Sequence, residues 1–308
     1  MLVALAGPTA AGKSALGLLL AQTLDAEIIC ADSRQIYKHL DIGTAKPTPE
    51  ERHAVPHQLF DIADPCETFT VAQYCEAASA CIAEVSARGR VPILVGGTGL
   101  YFRTLLYDYS IPEVPPQAEL RRELEAEDRS DPGCLYRRLQ AKDPPSALKL
   151  HPNDLRRIVR ALEVEAITGR PISAWQSRSQ QLRRPCRYLA LTSPQDVLWR
   201  RIRQRIDAMF AAGLLAELEG LRARYGRDLP LLQTLNYAES GQHLDGILSL
   251  EAAKEAMFIH TRQYAKRQLT WFRRDTEIEW HTVSEAQDIS RLAEQLAREL
   301  GARQEQVI

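Results

Sequence analysis

No apolar run in this 308-residue chain approaches the roughly 20 residues that a membrane-spanning helix needs. The first segment, 1–7, is apolar, but no basic residues precede it and it leads directly into a glycine-rich stretch. Cleavage of a signal peptide there would destroy that stretch, so we expect a short buried strand instead. The sequence therefore predicts a soluble protein without membrane attachment.

Paired cysteines and a strong net charge are also missing. The six cysteines include no C-x-x-C pair and no zinc-like cluster with histidines, which is typical of a cytoplasmic protein with free thiols. The formal net charge of −1 gives no global electrostatic argument for nucleic-acid binding. The arginines are nevertheless concentrated at 156–160, 183–187, 200–205 and 262–274. Such stretches can form a basic face, although an arginine run is more often a solvated helix surface.

Short apolar runs alternate with helical patterns over the first hundred residues. The runs at 2–6, 27–32 and 91–95 predict buried strands, and the segments 13–24 and 71–88 predict helices. This alternation indicates an α/β fold, in which helices cover both faces of a parallel sheet. In such a sheet, ligands bind at the carboxyl ends of the strands.

A proline-rich stretch at 111–116 interrupts this alternation. The pattern after it is helical until about residue 186, with the clearest helix running from about Asn153 to Gly169. A further strand is predicted at 187–192, and helices at 196–224, 250–272 and 284–300. We therefore predict a first part of the core at 1–110, an inserted all-helical domain at 111–186, and a mainly helical continuation of the core at 187–308.

The segment that follows the first predicted strand matches the motif G-x-x-x-x-G-K-[ST] in full. Its glycines let backbone amides wrap around a phosphate, while Lys13 adds a positive charge and Ser14 can ligate Mg²⁺. A strand before the motif and a helix after it are the context of a true phosphate loop. We therefore predict a sheet of the P-loop NTPase type that binds a di- or triphosphate through Gly7, Pro8, Thr9, Ala10, Ala11, Gly12, Lys13 and Ser14.

Other parts of a nucleotide hydrolase are missing. The strand at 91–95 runs into Gly96-Gly97-Thr98-Gly99 where a metal-binding aspartate would be expected, and no N-K-x-D motif indicates guanine recognition. The strand at 27–32 ends instead in a carboxylate, Asp32. An aspartate in this place could be a general base, a metal ligand or the N-cap of a following helix. The residues alone leave these alternatives open.

Several motifs in the same order resemble those of the tRNA dimethylallyltransferases. Besides the phosphate loop they are Asp32–Tyr37, Asp41–Pro47, Gly96–Tyr101, His151–Asp154, Arg157–Glu163, Arg201–Arg205, Gly213–Leu214 and Thr261–Gln268 with Trp271. The resemblance covers nearly the whole chain. The zinc-finger extension of some eukaryotic relatives is not present after the last predicted helix, which favours the bacterial form.

The resemblance implies transfer of a dimethylallyl group from dimethylallyl diphosphate to the N6 amine of the adenine 3′-adjacent to the anticodon. The phosphate loop would hold the diphosphate rather than ATP, with Mg²⁺ on Ser14 as the cofactor. The resemblance assigns proton removal to Asp32, a hydrogen bond to the bridging oxygen to Thr98, and diphosphate contacts to Arg205 and Arg201. Lys13 and the loop amides would stabilise the negative charge that develops on the leaving group.

An adenine amine cannot react while its base is stacked, so the base must be splayed into the protein. The resemblance places Asp32, Ser33, Arg34, Gln35 and Thr98 against that nucleotide, and Gln35 has the groups to recognise an adenine edge. It implies further tRNA contacts at Arg121, Arg156, Arg157, Ile158, Val159, Arg160, Gln233 and Tyr237. We expect the tRNA anticodon stem-loop as the partner and a monomeric enzyme.

Two positions depart from the family pattern. Asn236 stands where glycine is usual, and asparagine is among the few residues that tolerate a positive φ. Arg156 stands where glutamine is common.

Three other functions fit part of the sequence. An adenylate dimethylallyltransferase would share the phosphate loop and the base, but the basic helical insert favours a polynucleotide. A small-molecule kinase also joins a phosphate loop to a helical lid, but Thr98 stands in place of the strand-end aspartate. A pure RNA-binding module would leave Lys13, Asp32 and Thr98 without a role.

Overall fold

The structure is a computed structural model that describes residues 1–107, 112, 114–175 and 182–305. The chain forms two compact units, one made of Met1–Leu105 with Arg184–Ile308 and the other of Leu106–Arg183. The boundaries predicted for the insert, 111 and 186, lie a few residues from those of the second unit. Ile111 and Glu113 of the proline-rich stretch lie outside the described residues.

The first unit contains a parallel sheet of six strands. They are β1 (Leu2–Ala6), β2 (Ala26–Cys30), β3 (His57–Gln58), β4 (Val91–Val95), β5 (Cys186–Thr192) and β6 (Glu279–Thr282). Their order across the sheet is β3-β2-β4-β1-β5-β6, and all five neighbouring pairs are parallel. Every residue of β1, β2 and β4 is buried, as expected for central strands that are covered on both faces. The predicted α/β parallel sheet is thus confirmed.

The two edge strands could not be predicted from the sequence. β3 has only two residues, and β6 (Glu279-Trp-His-Thr282) has no continuous apolar run. Polar edge strands of this kind lack the hydrophobic pattern that marks a buried strand.

The described residues also form helices α1 (Lys13–Thr23), α2 (Pro49–Ala54), α3 (Val71–Ala87), α4 (Gly99–Leu106), α5 (Ala118–Ser130), α6 (Cys134–Lys142), α7 (Pro144–Ala147), α8 (Leu155–Thr168), α9 (Gln195–Ala211), α10 (Leu214–Tyr225), α11 (Tyr237–Leu244), α12 (Leu250–Phe272) and α13 (Ala286–Glu305). The prediction of one helix over 196–224 is wrong. Gly213, with a φ of +98°, separates α9 from α10, because a left-handed residue ends the run of helical hydrogen bonds.

The second unit is helical and has its own small core. Its apolar side chains come from α5 to α8 and include Leu124, Leu135, Leu139, Ala147, Ile158, Val159, Ala161 and Leu162. The side chain of Asp154 accepts the N–H of Arg157 to start α8, and Gly169, with a φ of +69°, ends it. The predicted end of this helix at Gly169 is confirmed.

Candidate active site

The carboxyl ends of β2 and β4 bring two predicted site segments together. Cys30 pairs with Val95 in the parallel register, so Asp32 and Gly97 leave the sheet side by side. A Cβ on Gly96 would lie 2.0 Å from the carbonyl oxygen of Ala31, so the two chains approach this closely only because residue 96 is glycine.

Two hydrogen bonds connect these segments. The backbone N–H of Ser33 donates to Thr98 Oγ1 at 2.9 Å, and the N–H of Thr98 donates to the carbonyl oxygen of Ala31 at 3.2 Å. Thr98 is therefore held beside Asp32.

The phosphate loop lies between β1 and α1, so the predicted strand–loop–helix context is confirmed. Gly7 has a φ of +131°, and a Cβ there would meet the carbonyl oxygen of Leu191 at 2.4 Å. Ala10 has a φ of +62°, an unusual conformation for a residue with a side chain, and Gly12 has a φ of +94°. Successive turns of this kind direct backbone amides toward a common point and form an anion-binding concavity.

A cavity of about 560 Å³ opens above this loop within the first unit. Its lining contains the predicted site residues Thr9, Ala10, Gly12, Lys13, Ser14, Asp32, Ser33, Arg34, Gln35 and Arg205. One face of α9 contributes Ile202, Arg205, Ile206 and Met209, and one face of α12 contributes Thr261, Tyr264 and Gln268. The residues that line it on α9 and α12 recur at helical spacing, so each helix presents one continuous face to the cavity.

Two cationic groups and one carboxylate face each other in this cavity. Burial and the nearby Arg205 together lower the pKa of Lys13 to about 7, against the opposing effect of Asp32. Burial likewise lowers the pKa of Arg205, again against the field of Asp32. Lys13 Nζ donates to the carbonyl oxygen of Pro8 at 2.7 Å, and Arg205 Nη1 donates to Thr9 Oγ1 at 3.1 Å. A bound anion would relieve the repulsion between the two cations, so the site favours a polyanionic group.

Asp32 is not the N-cap of a helix, because the residues that follow it form a turn. Its Oδ1 accepts the N–H of Arg34 at 2.8 Å, which holds the carboxylate in a defined orientation. Its Oδ2 makes no hydrogen bond with any other described residue. The N-cap alternative is therefore wrong, while a role as base or ligand remains compatible with the geometry.

A carboxylate that sequence analysis does not predict, Glu217 on α10, organises the loop at 41–45. It accepts the N–H groups of Asp41, Ile42 and Gly43 at 3.1, 2.7 and 3.1 Å. It also accepts the hydroxyl of Tyr237 at 2.6 Å. No local motif marks Glu217, because its partners lie far from it in the sequence.

Tyr237 was expected to contact tRNA, and this prediction is wrong. The side chain is fully buried, and a Cβ on Gly43 would lie 2.4 Å from its ring. The neighbouring Asn236 has the positive φ anticipated for this position, +74°. Its Nδ2 donates to the carbonyl oxygen of Gly43 at 2.7 Å. Both residues therefore support the loop, whereas Gln233 is exposed.

Gln35 is held by the same loop. Its Nε2 donates to the carbonyl oxygens of Thr44 and Ala45, each at 2.9 Å. With both amide hydrogens used in this way, the side chain has only its acceptor oxygen left for a ligand, and that oxygen lies 4.0 Å from Cys30 Sγ.

Arg201 is directed away from the residues that line the cavity. Its guanidinium donates to Ser193 Oγ at 3.1 Å and to the carbonyl oxygen of Ser284 at 3.0 Å. Arg205 is the arginine of this segment that faces the cavity. The geometry therefore does not support a diphosphate contact that Arg201 shares with Arg205.

The second unit divides its predicted tRNA contacts into two groups. Ile158 and Val159 are 0% and 3% exposed and belong to the core of the unit, so their assignment to tRNA is wrong. Arg156 and Arg157 are exposed. On an amphipathic helix, only the outer face is available to a partner.

Arg121 and Arg160 are engaged within the unit by the buried Glu163. Arg121 donates to both carboxylate oxygens at 2.8 and 2.7 Å, and Arg160 donates to one at 2.7 Å. Burial alone would raise the pKa of Glu163, but these bonds and that from the N–H of Gln117 lower the pKa to about 2. These two arginines stabilise the helical unit, which is not the tRNA-contacting role predicted for them.

We expect Glu163→Gln to destabilise the second unit by about 3 kcal/mol at neutral pH, because it leaves two arginines without their carboxylate. The folded pKa of Glu163 lies below the ordinary 4.5, so its contribution is complete above that pH and is lost as pH falls toward 2. Amide hydrogen exchange in α5 and α8, measured by mass spectrometry, checks both statements. Glu165→Gln, which removes a surface pair with Lys142, should change exchange little. Equal exchange in the two variants would contradict the role of Glu163.

Within the described residues no helix is long and apolar enough to cross a membrane.

Comparisons with known proteins agree with one another. A family model described as IPP transferase matches residues 35–275, and one described as isopentenyl transferase matches residues 1–60. A tRNA dimethylallyltransferase of Geobacillus kaustophilus is 45% identical over 95% of this chain and 93% of its own length. That of Gloeobacter violaceus is 50% identical over 91% of each chain.

Solved structures give the same result. The tRNA isopentenylpyrophosphate transferase of Bacillus halodurans is 39% identical, with a TM-score of 0.69 over 99% of this chain and 98% of its own. A eukaryotic dimethylallyltransferase, described as acting on tRNA, is 31% identical with a TM-score of 0.78, over 91% of this chain and 73% of its own. Since these similarities extend over nearly all of the sequence, the chain belongs to the tRNA dimethylallyltransferase family.

Proposed function

We propose that this enzyme transfers the dimethylallyl group of dimethylallyl diphosphate to the N6 amine of the adenine 3′-adjacent to the anticodon in tRNA. Diphosphate is the second product. The observation that carries the proposal is a single cavity lined by a phosphate loop, a half-buried arginine and a strand-end aspartate. A prenyl transfer to an amine needs these three functions: a cradle for the diphosphate, charge stabilisation and a proton acceptor.

The diphosphate would lie on the phosphate loop. The loop amides, Lys13 and Arg205 would stabilise the negative charge that grows on the leaving group as its bond to the prenyl carbon breaks. Thr98 is held beside Asp32 by its bond to Ser33, where its hydroxyl could donate to the bridging oxygen. Because the site is partly closed from water, each of these interactions is stronger than it would be in solvent.

A magnesium ion fits this loop only together with the diphosphate. Ser14 lines the cavity at the start of α1, and no group of three or more acidic, histidine or cysteine side chains among the described residues could hold a metal. Mg²⁺ commonly takes one or two protein ligands and completes its shell with phosphate oxygens and water. We propose Ser14 as its protein ligand, where the ion would neutralise charge on the diphosphate.

Asp32 would accept the proton of the amine. The bond from Arg34 N–H fixes one carboxylate oxygen and leaves the other for the substrate. Gln35 also lines the cavity, and its acceptor oxygen would suit an adenine amine better than a guanine carbonyl. The proposed adenine site therefore has one group for chemistry and one for recognition.

We expect Arg156→Ala and Arg157→Ala each to weaken binding of the anticodon stem-loop. Each should also lower the slope of log Kd against log salt by about 0.7 to 0.9, because one phosphate contact is lost. Fluorescence anisotropy at several salt concentrations measures both quantities. Arg137→Ala, which removes another exposed arginine of the same unit, is the matched control. An unchanged slope in both test variants would exclude these arginines from the interface.

The proposed function is tested with dimethylallyl diphosphate labelled in the prenyl group, Mg²⁺ and unmodified tRNA, in parallel with AMP. Label on tRNA alone, at the adenine beside the anticodon, is the expected result. Label on AMP would indicate an adenylate dimethylallyltransferase. Label on neither acceptor, with ATP consumed when a small-molecule acceptor is supplied, would indicate a kinase and contradict the proposal.

A further inference from the structure

One buried side chain connects two parts of the site that come from distant segments. Gln268 lies on α12 and is 5% exposed. Its Oε1 accepts the backbone N–H of Thr9 in the phosphate loop at 2.8 Å. Its Nε2 donates to the carbonyl oxygen of Gly97 at 2.9 Å. A single amide group thus spans the loop after β1 and the loop after β4.

Glycine at position 97 makes room for this bridge. A Cβ on Gly97 would lie 2.1 Å from Gln268 Nε2, so the amide can approach only because residue 97 is glycine. On the other side, Thr9 also accepts Arg205 through its Oγ1 at 3.1 Å. The contacts therefore form a chain from the Gly97 loop through Gln268 and Thr9 to the arginine that faces the cavity.

We infer that Gln268 is a positioning residue that sets the distance between the phosphate loop and the Gly97–Thr98 segment. The inference rests on the proposed function, in which the loop holds the diphosphate while Thr98 and Asp32 act on the leaving oxygen and the amine. These groups are useful only if the loops that carry them are held at the correct separation. A glutamine amide carries an acceptor oxygen at one corner and a donor NH2 group at the other, so one planar group can join a loop N–H to a loop carbonyl.

This role predicts a particular kinetic pattern. The cradle of the diphosphate is built by the turns of the phosphate loop itself, so ground-state binding should survive without Gln268. Alignment with Thr98 should be lost, because nothing else described joins the N–H of Thr9 to the carbonyl of Gly97. A misplacement of about 1 Å between reacting groups can lower a rate about 100-fold.

Gln268→Leu is the first test. We expect kcat for dimethylallyl transfer to fall about 100-fold, while KM for dimethylallyl diphosphate and Kd for inorganic diphosphate with Mg²⁺ change less than about threefold. Gln268→Glu retains the acceptor for Thr9 but loses the donor to Gly97, so its kcat should lie between those of the Leu variant and the wild type. This second variant keeps the volume of the side chain, in case the leucine does not fold. Gln263→Leu, at an exposed position of the same helix, should behave as wild type.

A double-mutant cycle with Gly97→Ala shows whether the two substitutions disrupt the same contact between Gln268 and Gly97 or lower the rate independently. The alanine Cβ displaces the Gln268 amide from the opposite side, so the double variant should be no slower than the slower single variant. Near-normal kcat in Gln268→Leu would overturn the inference, as would a loss confined to KM and Kd, which would make Gln268 an ordinary part of the diphosphate site. A wild-type enzyme that transfers no label would overturn the proposed function instead, and the alignment inferred for it would fall as well.

Discussion

Asp32→Asn should lower kcat about 1000-fold while leaving the affinity for tRNA nearly unchanged, because a positioned general base contributes 100- to 10,000-fold. Asparagine keeps the Oδ1 acceptor that binds the N–H of Arg34 at 2.8 Å. The turn after β2 is therefore preserved, and only the ability to take a proton is removed. Single-turnover transfer of labelled dimethylallyl, with tRNA binding measured in parallel, gives both quantities.

Asp64→Asn is the matched control for this experiment. Asp64 Oδ1 accepts the N–H of Cys66 at 2.9 Å, the same two-residue turn that Asp32 forms. It does not line the cavity. A normal rate in this variant would show that losing a turn carboxylate is harmless in itself. If the Asp32 variant retained a rate within about tenfold of wild type, the carboxylate would orient the amine and would not deprotonate it.

The second large effect is expected at Arg205. Arg205→Gln should lower kcat/KM for dimethylallyl diphosphate about 100- to 1000-fold, the usual cost of removing one donor that stabilises a developing charge. The variant should also bind inorganic diphosphate more weakly, since one of the cationic side chains that line the cavity is gone. Arg205→Lys should recover only part of the loss, because an ammonium group cannot form the bidentate contact of a guanidinium.

Arg201→Gln tests whether the loss at Arg205 is specific. Arg201 lies about one helical turn earlier, and its guanidinium is bonded to Ser193 and Ser284. We expect a modest loss of stability in this variant, with kcat/KM for the folded enzyme within about tenfold of wild type. Equal losses in the two variants would return Arg201 to the diphosphate site.

The phosphate loop and the strand-end aspartate could be predicted because each depends on residues close together in the sequence. A glycine-rich turn between a buried strand and a helix has few other uses, and the parallel register places whatever follows β2 beside whatever follows β4. The end of α8 at Gly169 could be predicted for the same reason, since a left-handed cap is a local conformation.

The sequence did not reveal roles that depend on contacts between distant segments. Arg121 and Arg160 look like surface arginines until Glu163 is seen buried between them. Ile158 and Val159 follow two exposed arginines in the sequence, but the helical periodicity directs their side chains into the core of the second unit. Tyr237 was expected to contact tRNA, yet its hydroxyl donates to Glu217 and its ring packs against Gly43.

The sequence by itself determined the fold class, the phosphate loop, the place of Asp32 and the family, because periodicity and ordered motifs are properties of neighbouring residues. Only the tertiary structure decided which arginine faces the cavity, that Glu217 holds the loop at 41–43, and that Gln268 joins Thr9 to Gly97. These contacts join residues that are far apart along the chain, and their direction depends on how whole helices pack on the sheet. Each turn of a helix carries three or four side chains that point in different directions, and the packing of the helix on the sheet determines which of them reach the site.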